Sequence, residues 1–300
     1  MPVKIFLTGA SGLLGGNILR LLGSRPNVEV CAAQRSETFV IPPVFSNGYE
    51  TLLLDLTSES AVWNVISQWR PDVIIHTAAM TEPAACEWQQ DEATRQNILV
   101  TRTLTNLAEH FHARLIFIST DLVFDGKKGN YVETDLRHPL SFYGETKMIS
   151  EDYITKTLED YAILRTTIML GYSPRGTRSL NERLMLEVAQ LRLPTLFTDE
   201  YRSPISVETL AQIVLEFALD AAREAKGIFH AVGSERLSRY EIGKKIFEHF
   251  GVPESSYRAA SLDSVVSTPL RPRDCSLDNR KLRTVIKTRI PTIDEVIALL

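Results

Sequence analysis

The first half of the chain alternates short apolar runs with amphipathic stretches. Val3–Thr8 is apolar enough to predict a buried strand, and a glycine-rich turn and a helix through Leu22 follow it. Val28–Ala33 and Thr51–Leu54 predict a second and a third strand, with Pro42, Pro43, Asn47 and Gly48 marking the loop between them. Ser58–Trp69 has helical spacing, with Val62, Ile66 and Trp69 on one face. Pro71 ends that helix and Val73–His76 predicts a fourth strand. Asp91–His110 predicts one long helix and Arg114–Ser119 a fifth strand. Strands that alternate with helices imply right-handed crossovers and a parallel sheet covered on both faces.

The second half is less regular. Ser141–Leu158 predicts a helix and Ala162–Thr166 a sixth strand. Arg178–Leu191 and Val207–Ala225 have helical spacing, and Gly227–Val232 fits a strand that returns to the sheet. Ser238 and Glu241 form a capping box that opens a further helix, closed by Gly251. Pro291 opens a short terminal helix. The expected fold class is α/β: a Rossmann doubly wound parallel sheet with a smaller C-terminal substrate-binding lobe. The expected division is 1–170 for the Rossmann domain, with a returning segment near 205–232, and 171–204 plus 233–300 for the lobe.

Composition narrows the function. The chain has 300 residues, 44% hydrophobic and 23% charged, which is ordinary globular composition. The net charge of −4 and the scattered basic residues give no basic face for nucleic acid. No apolar run nears the roughly 20 residues that span a bilayer, so no membrane partner is expected. Cys31, Cys86 and Cys275 lie far apart and form no CxxC pair, which argues against a disulfide framework or a zinc site. No two histidines have metal-ligand spacing, and no metal is expected. A cytoplasmic protein with reduced thiols fits this usage.

The chemistry starts after the first strand. In Thr8–Gly15 (TGASGLLG), Gly9 permits a tight turn, Gly12 lets the backbone approach a pyrophosphate, and Gly15 lets the helix pack close to the sheet. Phosphates would meet the free N–H groups of that helix. The second strand ends in Ala33-Gln34-Arg35-Ser36, without a carboxylate until Glu37. Arg35 either pairs with the 2′-phosphate of NADP, with Ser36 donating to it, or is a solvated loop cation. NADP(H) is therefore expected over NAD(H). Asp55, followed by Leu56, either accepts from the adenine amino group or serves as a cap or turn residue.

Tyr143 and Lys147 lie four apart on a predicted helix and so share a face. A lysine ammonium beside a tyrosine stabilises the phenolate and lowers its pKa. Tyr143 could then protonate a carbonyl oxygen as hydride arrives. Thr120 ends the fifth strand, where ligands bind in open α/β sheets, and its hydroxyl could hold the same oxygen. Asp121 either orients these groups or caps the loop. His76 is expected to fill space near the cofactor, and His110 and His112 to lie at the surface.

Together these segments resemble the extended short-chain dehydrogenase/reductase family over nearly the whole chain. The resemblance is carried by TGASGLLG, His76–Ala79 (HTAA), Ser119–Gly126 (STDLVFDG), Pro139–Lys147 (PLSFYGETK), Leu164–Thr166 (LRT), Arg202–Pro204 (RSP) and Arg273–Leu282. Within the family it is similar to the dTDP-4-dehydrorhamnose reductase branch. The resemblance implies NADPH-dependent reduction of a 4-keto nucleotide sugar. It implies Thr120, Tyr143 and Lys147 as the catalytic set, with Lys147 also on the nicotinamide ribose. Ser11, Gly12 and Leu13 would line the diphosphate, and Thr77, Ala78 and Ala79 would pass the cofactor ribose. Thr81, Asp121 and Arg202 are the candidate substrate contacts, Arg202 as a phosphate partner or else a surface cation. Dehydratases of the superfamily carry Glu where this chain has Leu122, and epimerases differ over Ser119–Asp125. The sequence departs from the branch at Leu122, Glu82–Ala85, Thr167–Leu170 and Asp199-Glu200, around the substrate end. The branch also includes proteins resembling the regulatory beta subunit of methionine adenosyltransferase, so a partner-binding role is the alternative. A homodimer would suit this fold type.

Overall fold

The structure is a computed structural model that describes residues 1–35, 40–46, 49, 51–265 and 268–300. Ser36, Glu37, Asn47 and Gly48 lie outside the described residues.

Seven parallel strands form the centre. Six are β1 (Val3–Thr8), β2 (Val28–Gln34), β3 (Thr51–Leu53), β4 (Val73–His76), β5 (Arg114–Thr120) and β6 (Tyr161–Thr166). The seventh is Gly227–His230, and the order across the sheet runs from it through β6, β5, β4, β1 and β2 to β3. The chain therefore winds outward from β1 in one direction, then returns to build the other side, and the switch falls between β1 and β4. The expected returning segment pairs with β6, residue Phe229 beside Leu164. Every residue of β4 and β5 is buried. Such strands need apolar side chains on both faces, which is why they read as continuous apolar runs rather than as alternation.

One face of the sheet is covered by helix α1 (Leu13–Leu22) and helix Val207–Leu219, around Ile18, Leu22, Leu210 and Val214. The other is covered by helices Glu59–Trp69, Val100–Phe111 and Phe142–Thr157, around Val62, Ile66, Leu104 and Ile154. A separate apolar cluster unites Leu184, Leu196, Ile242, Ile246, Phe247 and Ile293 from the second half. It is stitched by short strand pairs: Thr195–Phe197 with Arg258–Ala260, and Tyr201–Arg202 with Leu237–Ser238.

Several boundaries differ from the sequence reading. The expected Asp91–His110 helix is a turn of α-helix at Gln90–Ala93, a π-helical turn at Thr94–Leu99, and then Val100–Phe111. Asn97 sits in that π turn and bridges two elements: its Oδ1 accepts from Met80 N–H and its Nδ2 donates to Thr146 Oγ1. A π turn re-aims such a side chain without ending the helix. The expected Arg178–Leu191 helix is Leu180–Ala189, because Ser179 and Glu182 form a capping box. The expected Val207–Ala225 helix stops at Leu219. The terminal helix starts at Ile293, two residues after Pro291, behind a Thr292–Glu295 box. Helix Pro83–Trp88 was not expected; proline at its first position needs no hydrogen-bond partner there.

Candidate functional site

A cleft of about 720 Å³ opens at the carboxyl ends of β1, β2, β4, β5 and β6. Parallel strands leave their carboxyl ends beside loops and helix N-termini, so ligand contacts gather there. The cleft is lined by these candidates: Gly9, Ser11, Gly12, Leu13 and Gly15; Arg35, Asp55 and Leu56; Thr77, Ala78, Ala79 and Thr81; Thr120, Asp121, Tyr143, Lys147 and Arg202.

The glycine turn is built for close approach. Gly9 has φ +72°, a conformation glycine reaches without a steric penalty. A Cβ at Gly15 would lie 2.2 Å from the Gly9 carbonyl oxygen, so only glycine lets α1 start this close to the turn. Gly12 caps α1 in extended backbone without a side-chain hydrogen bond, and Leu13, Leu14 and Gly15 at the helix start line the cleft. These residues fit a dinucleotide diphosphate: glycines at 9, 12 and 15 put no side chain on the cleft wall at the start of α1.

The next wall is held by Thr8. Its Oγ1 accepts from Thr77 N–H and Ala78 N–H, both at 3.2 Å, and lies 2.8 Å from His76 Nδ1. Thr8 then donates to Nδ1, which places the histidine proton on Nε2, toward Thr101 Oγ1 at 3.1 Å. Burial pushes His76 down to about 3, with the Lys147 charge adding to it, so His76 is neutral and fastens the 76–79 loop to the helix behind it. At the far end, exposed Arg35 lines the cleft beside Asp55. The Asp55 carboxylate accepts from Thr57 N–H and Thr57 Oγ1, as a turn aspartate does, and still borders the cleft.

Helix Phe142–Thr157 delivers the Tyr–Lys pair. Ser141 Oγ accepts from Gly144 N–H, and Glu87 accepts from Phe142 N–H. A Cβ at Gly144 would come 2.3 Å from the Leu122 carbonyl oxygen, so the helix start is pressed against the turn after Thr120. That contact brings the helix start, and Tyr143 with it, against the end of β5, so that Tyr143 and Thr120 line the same cleft. Thr120, Tyr143 and Lys147 are each under a tenth exposed.

The electrostatics differ from the sequence expectation. Burial pushes the Tyr143 phenol above its ordinary range, the Asp121 and Cys86 charges add to that, and the Thr120 hydrogen bond opposes it. Lys147, one turn along the same helix, donates from Nζ to the Ile118 carbonyl at 2.8 Å. Burial in turn brings Lys147 down to about 7, while Glu151 and Cys86 pull it upward.

The substrate end also corrects the surface-cation alternative for Arg202. Arg202 is 4% exposed. Its Nε lies 3.2 Å from Asp121 and its Nη2 3.2 Å from Glu200. Asp121 accepts from Thr120 and Thr167 hydroxyls as well, so it orients the Thr120 hydroxyl. Burial raises its pKa and the Arg202 charge opposes that. Glu200 also pairs with Arg271. Sequence reasoning missed this arginine wall, which Arg175, Arg178, Arg183 and Arg239 extend along the cleft. Singly, each arginine reads as a surface cation. Ser179 and Glu182 did carry a signal, the Ser-x-x-Glu box, which sets where the Arg178 backbone turns.

The comparisons with known proteins agree with this geometry. The sequence matches the family described as RmlD substrate binding domain over residues 3–299. It is 31% identical to methionine adenosyltransferase 2 subunit beta of Xenopus laevis, over 93% of this chain and 81% of that one. It is 28% identical to dTDP-4-dehydrorhamnose reductase of Aggregatibacter actinomycetemcomitans, over 93% of this chain and 92% of that one. The fold matches a crystal structure of dTDP-4-dehydrorhamnose reductase from Bacillus anthracis in complex with NADP, with TM-score 0.84 and 22% identity, over 100% of this chain and 98% of that one. With the glycine turn, the strand-end threonine and the Tyr–Lys helix in one cleft, and with the family matched from end to end, the chain belongs to the RmlD substrate binding domain family of dTDP-4-dehydrorhamnose reductase-like proteins within the short-chain dehydrogenase/reductases.

Proposed function

We propose that this chain is an NADP(H)-dependent reductase of a keto sugar, with a 4-keto-6-deoxy nucleotide sugar as its substrate class. The observation that carries the reading is the meeting of Thr120, Tyr143 and Lys147 in the cleft that also holds the glycine turn. The bound nicotinamide supplies the hydride. The chain's own residues do the rest. Gly9–Gly15 and the 77–79 loop hold the dinucleotide, Arg35 takes the 2′-phosphate, and Asp55 and Leu56 border the adenine. Thr120 Oγ1 and the Tyr143 hydroxyl converge on the substrate oxygen. Tyr143 gives its proton to that oxygen as negative charge develops there, and Lys147 holds positive charge behind it. The NADP-bound Bacillus anthracis relative supports the cofactor and the Aggregatibacter relative supports the reaction class. In this reading the Leu184–Ile246 cluster is the core of a substrate lobe formed by 171–204 and 233–300. The reading includes a cytoplasmic location and a homodimer. Within the described residues no helix is long and apolar enough to cross a membrane.

The 31% identity to methionine adenosyltransferase 2 subunit beta favours a second reading, in which the same dinucleotide fold serves a partner enzyme. One experiment separates the two. The protein is titrated with NADPH and NADH, and a dTDP-4-keto-6-deoxy sugar is then added while NADPH oxidation is followed. Turnover that is lost in Tyr143→Phe supports the reductase. NADPH binding without turnover, together with retention of a steady partner in a native pull-down, supports the regulatory reading.

A further inference from the structure

The loop between β6 and helix Leu180–Ala189 carries Arg175 and Arg178 to the cleft. Its shape is dictated by one buried carboxylate. Glu182 is 8% exposed. It accepts from Ser173 N–H and Ser173 Oγ at 2.7 Å, from Arg178 N–H at 2.8 Å and from Ser179 N–H at 2.9 Å. A carboxylate that gathers four donors fixes a loop much as a bound ion would.

The same loop is fastened to the dinucleotide helix. The Tyr172 carbonyl accepts from Asn17 Nδ2 at 2.8 Å. Pro174 lies on α1 so closely that a Cβ at Gly16 would fall 2.4 Å from its Cγ. Gly16 is four residues from Gly12, about 6 Å along the helix. Arg175 follows Pro174 directly, so it starts within one helical turn of the N–H groups that face a diphosphate. Arg178 lines the same cleft from the other end of the Glu182-held turn.

We propose that Arg175 and Arg178 form a strap that closes over the diphosphate of the bound dinucleotide, opposite the glycine turn. The proposal rests on the dinucleotide reading above. The chemistry is a diphosphate anion, gripped on one side by backbone N–H groups and on the other by guanidinium groups. A sugar nucleotide carries the same anion, so the arms of the test separate the two sources.

The test is fluorescence titration of NADPH into the wild type, Arg175→Gln/Arg178→Gln and Glu182→Gln, with thermal melts as a check on folding. Both positions of the double variant are exposed, and its melt separates a loss of fold from a loss of affinity. Its NADPH affinity should fall about tenfold to a hundredfold, the scale of one to two charge-assisted hydrogen bonds, with a weaker salt dependence. Adenosine 2′-monophosphate, which lacks the bridging diphosphate, should bind both proteins equally. Glu182→Gln should also bind NADPH more weakly, although both arginines remain. Unchanged NADPH affinity in the double variant overturns the strap, and so does loss of dTDP binding with NADPH binding intact. A wild type that binds no NADPH overturns the dinucleotide reading and the strap with it, a result distinct from either.

Discussion

Lys147 gives its ammonium group to the main-chain carbonyl of Ile118, and its Nζ stands 4.3 Å from the centre of the Phe117 ring. The cation is thus tied to β5 in a site with little water. The groups facing it are the Glu151 carboxylate one turn along its own helix, Cys86 from helix Pro83–Trp88 and neutral His76 from β4. Burial outweighs the two anionic contributions, which is why its pKa falls to about 7.

Below pH 7 Lys147 is protonated in both the folded and the unfolded chain. Between about 7 and its ordinary 10.5 the unfolded chain binds the proton and the folded chain does not, so stability rises with pH across that window. Lys147→Met should therefore be more stable than the wild type at pH 6 and should lose this rise. Urea midpoints of both proteins at pH 6 and pH 9 check it. A Lys147→Met protein that matches the wild type at both pH values would show that burial does not set this lysine.

Glu151 has no exposure and stands between two arginines. Its oxygens pair with Arg165 at 3.0 and 2.8 Å and with Arg137 at 3.0 Å, and Ser119 Oγ donates to it. Ser119 precedes Thr120, so this one carboxylate joins the helix of Tyr143 and Lys147 to the strand that carries Thr120. Removing one partner of a buried pair leaves an uncompensated charge and costs about 3–5 kcal/mol. Glu151→Ala should lose stability on that scale, read as a lower urea midpoint with an unchanged slope. A loss under about 1 kcal/mol, typical of an exposed pair, would contradict this account.

His76 and His230 are both pushed by burial to about 3. The unfolded chain takes up these protons below about pH 6.5 and the folded chain refuses them until far lower, so stability falls with acid between those values. Each histidine contributes a slope of up to about 1.4 kcal/mol per pH unit. His76→Gln should shrink the loss between pH 6.5 and pH 4. An equal slope in wild type and variant, measured by urea unfolding at each pH, would rule His76 out as a source of acid sensitivity.

Gly15→Ala places a methyl group 2.2 Å from the Gly9 carbonyl oxygen. That atom belongs to the backbone of the turn and cannot swing aside, so α1 must move off the sheet. The variant should lose NADPH affinity by at least tenfold while its far-ultraviolet circular dichroism stays near that of the wild type. Unchanged affinity would show that the turn tolerates the displacement.

The dinucleotide half of the site was legible in the sequence because its signals are local. Gly9, Gly12 and Gly15 lie within one turn and helix start, and Tyr143 and Lys147 lie one helical turn apart. The parallel strands were legible for a related reason: burial on both faces leaves an unbroken apolar run, as in Leu115–Ile118 of β5. The substrate end was not legible. Tyr201 meets Ser238, and Thr195 meets Arg258, in pairs of strands too short to show any period. The π turn at Thr94–Leu99 answers to Asn97 bridging Met80 and Thr146, partners far away in the chain. The same holds for Arg202. By itself Arg-Ser-Pro is consistent with a surface loop, and only the fold brings Asp121 from 81 positions earlier against its guanidinium.

That burial changes what Arg202 predicts. A phosphate-binding arginine at a surface could be replaced with loss of ligand affinity alone. Arg202 instead neutralises Asp121 and shares Glu200 with Arg271. Arg202→Met would leave the Asp121 carboxylate buried beside Thr120 and Thr167 without the cation next to it, at a cost of about 3–5 kcal/mol at pH 7. The unpaired carboxylate would hold its proton more tightly in the folded chain than in the unfolded one, so acid would relieve the penalty. The stability gap between variant and wild type should therefore narrow from pH 7 to pH 5. The check is urea unfolding of both proteins at the two pH values, beside dTDP titration. A variant as stable as the wild type that no longer binds dTDP would make Arg202 a ligand contact first. A gap that narrows in acid would make it the residue that keeps Asp121 ionised and, through Asp121, holds Thr120 in place.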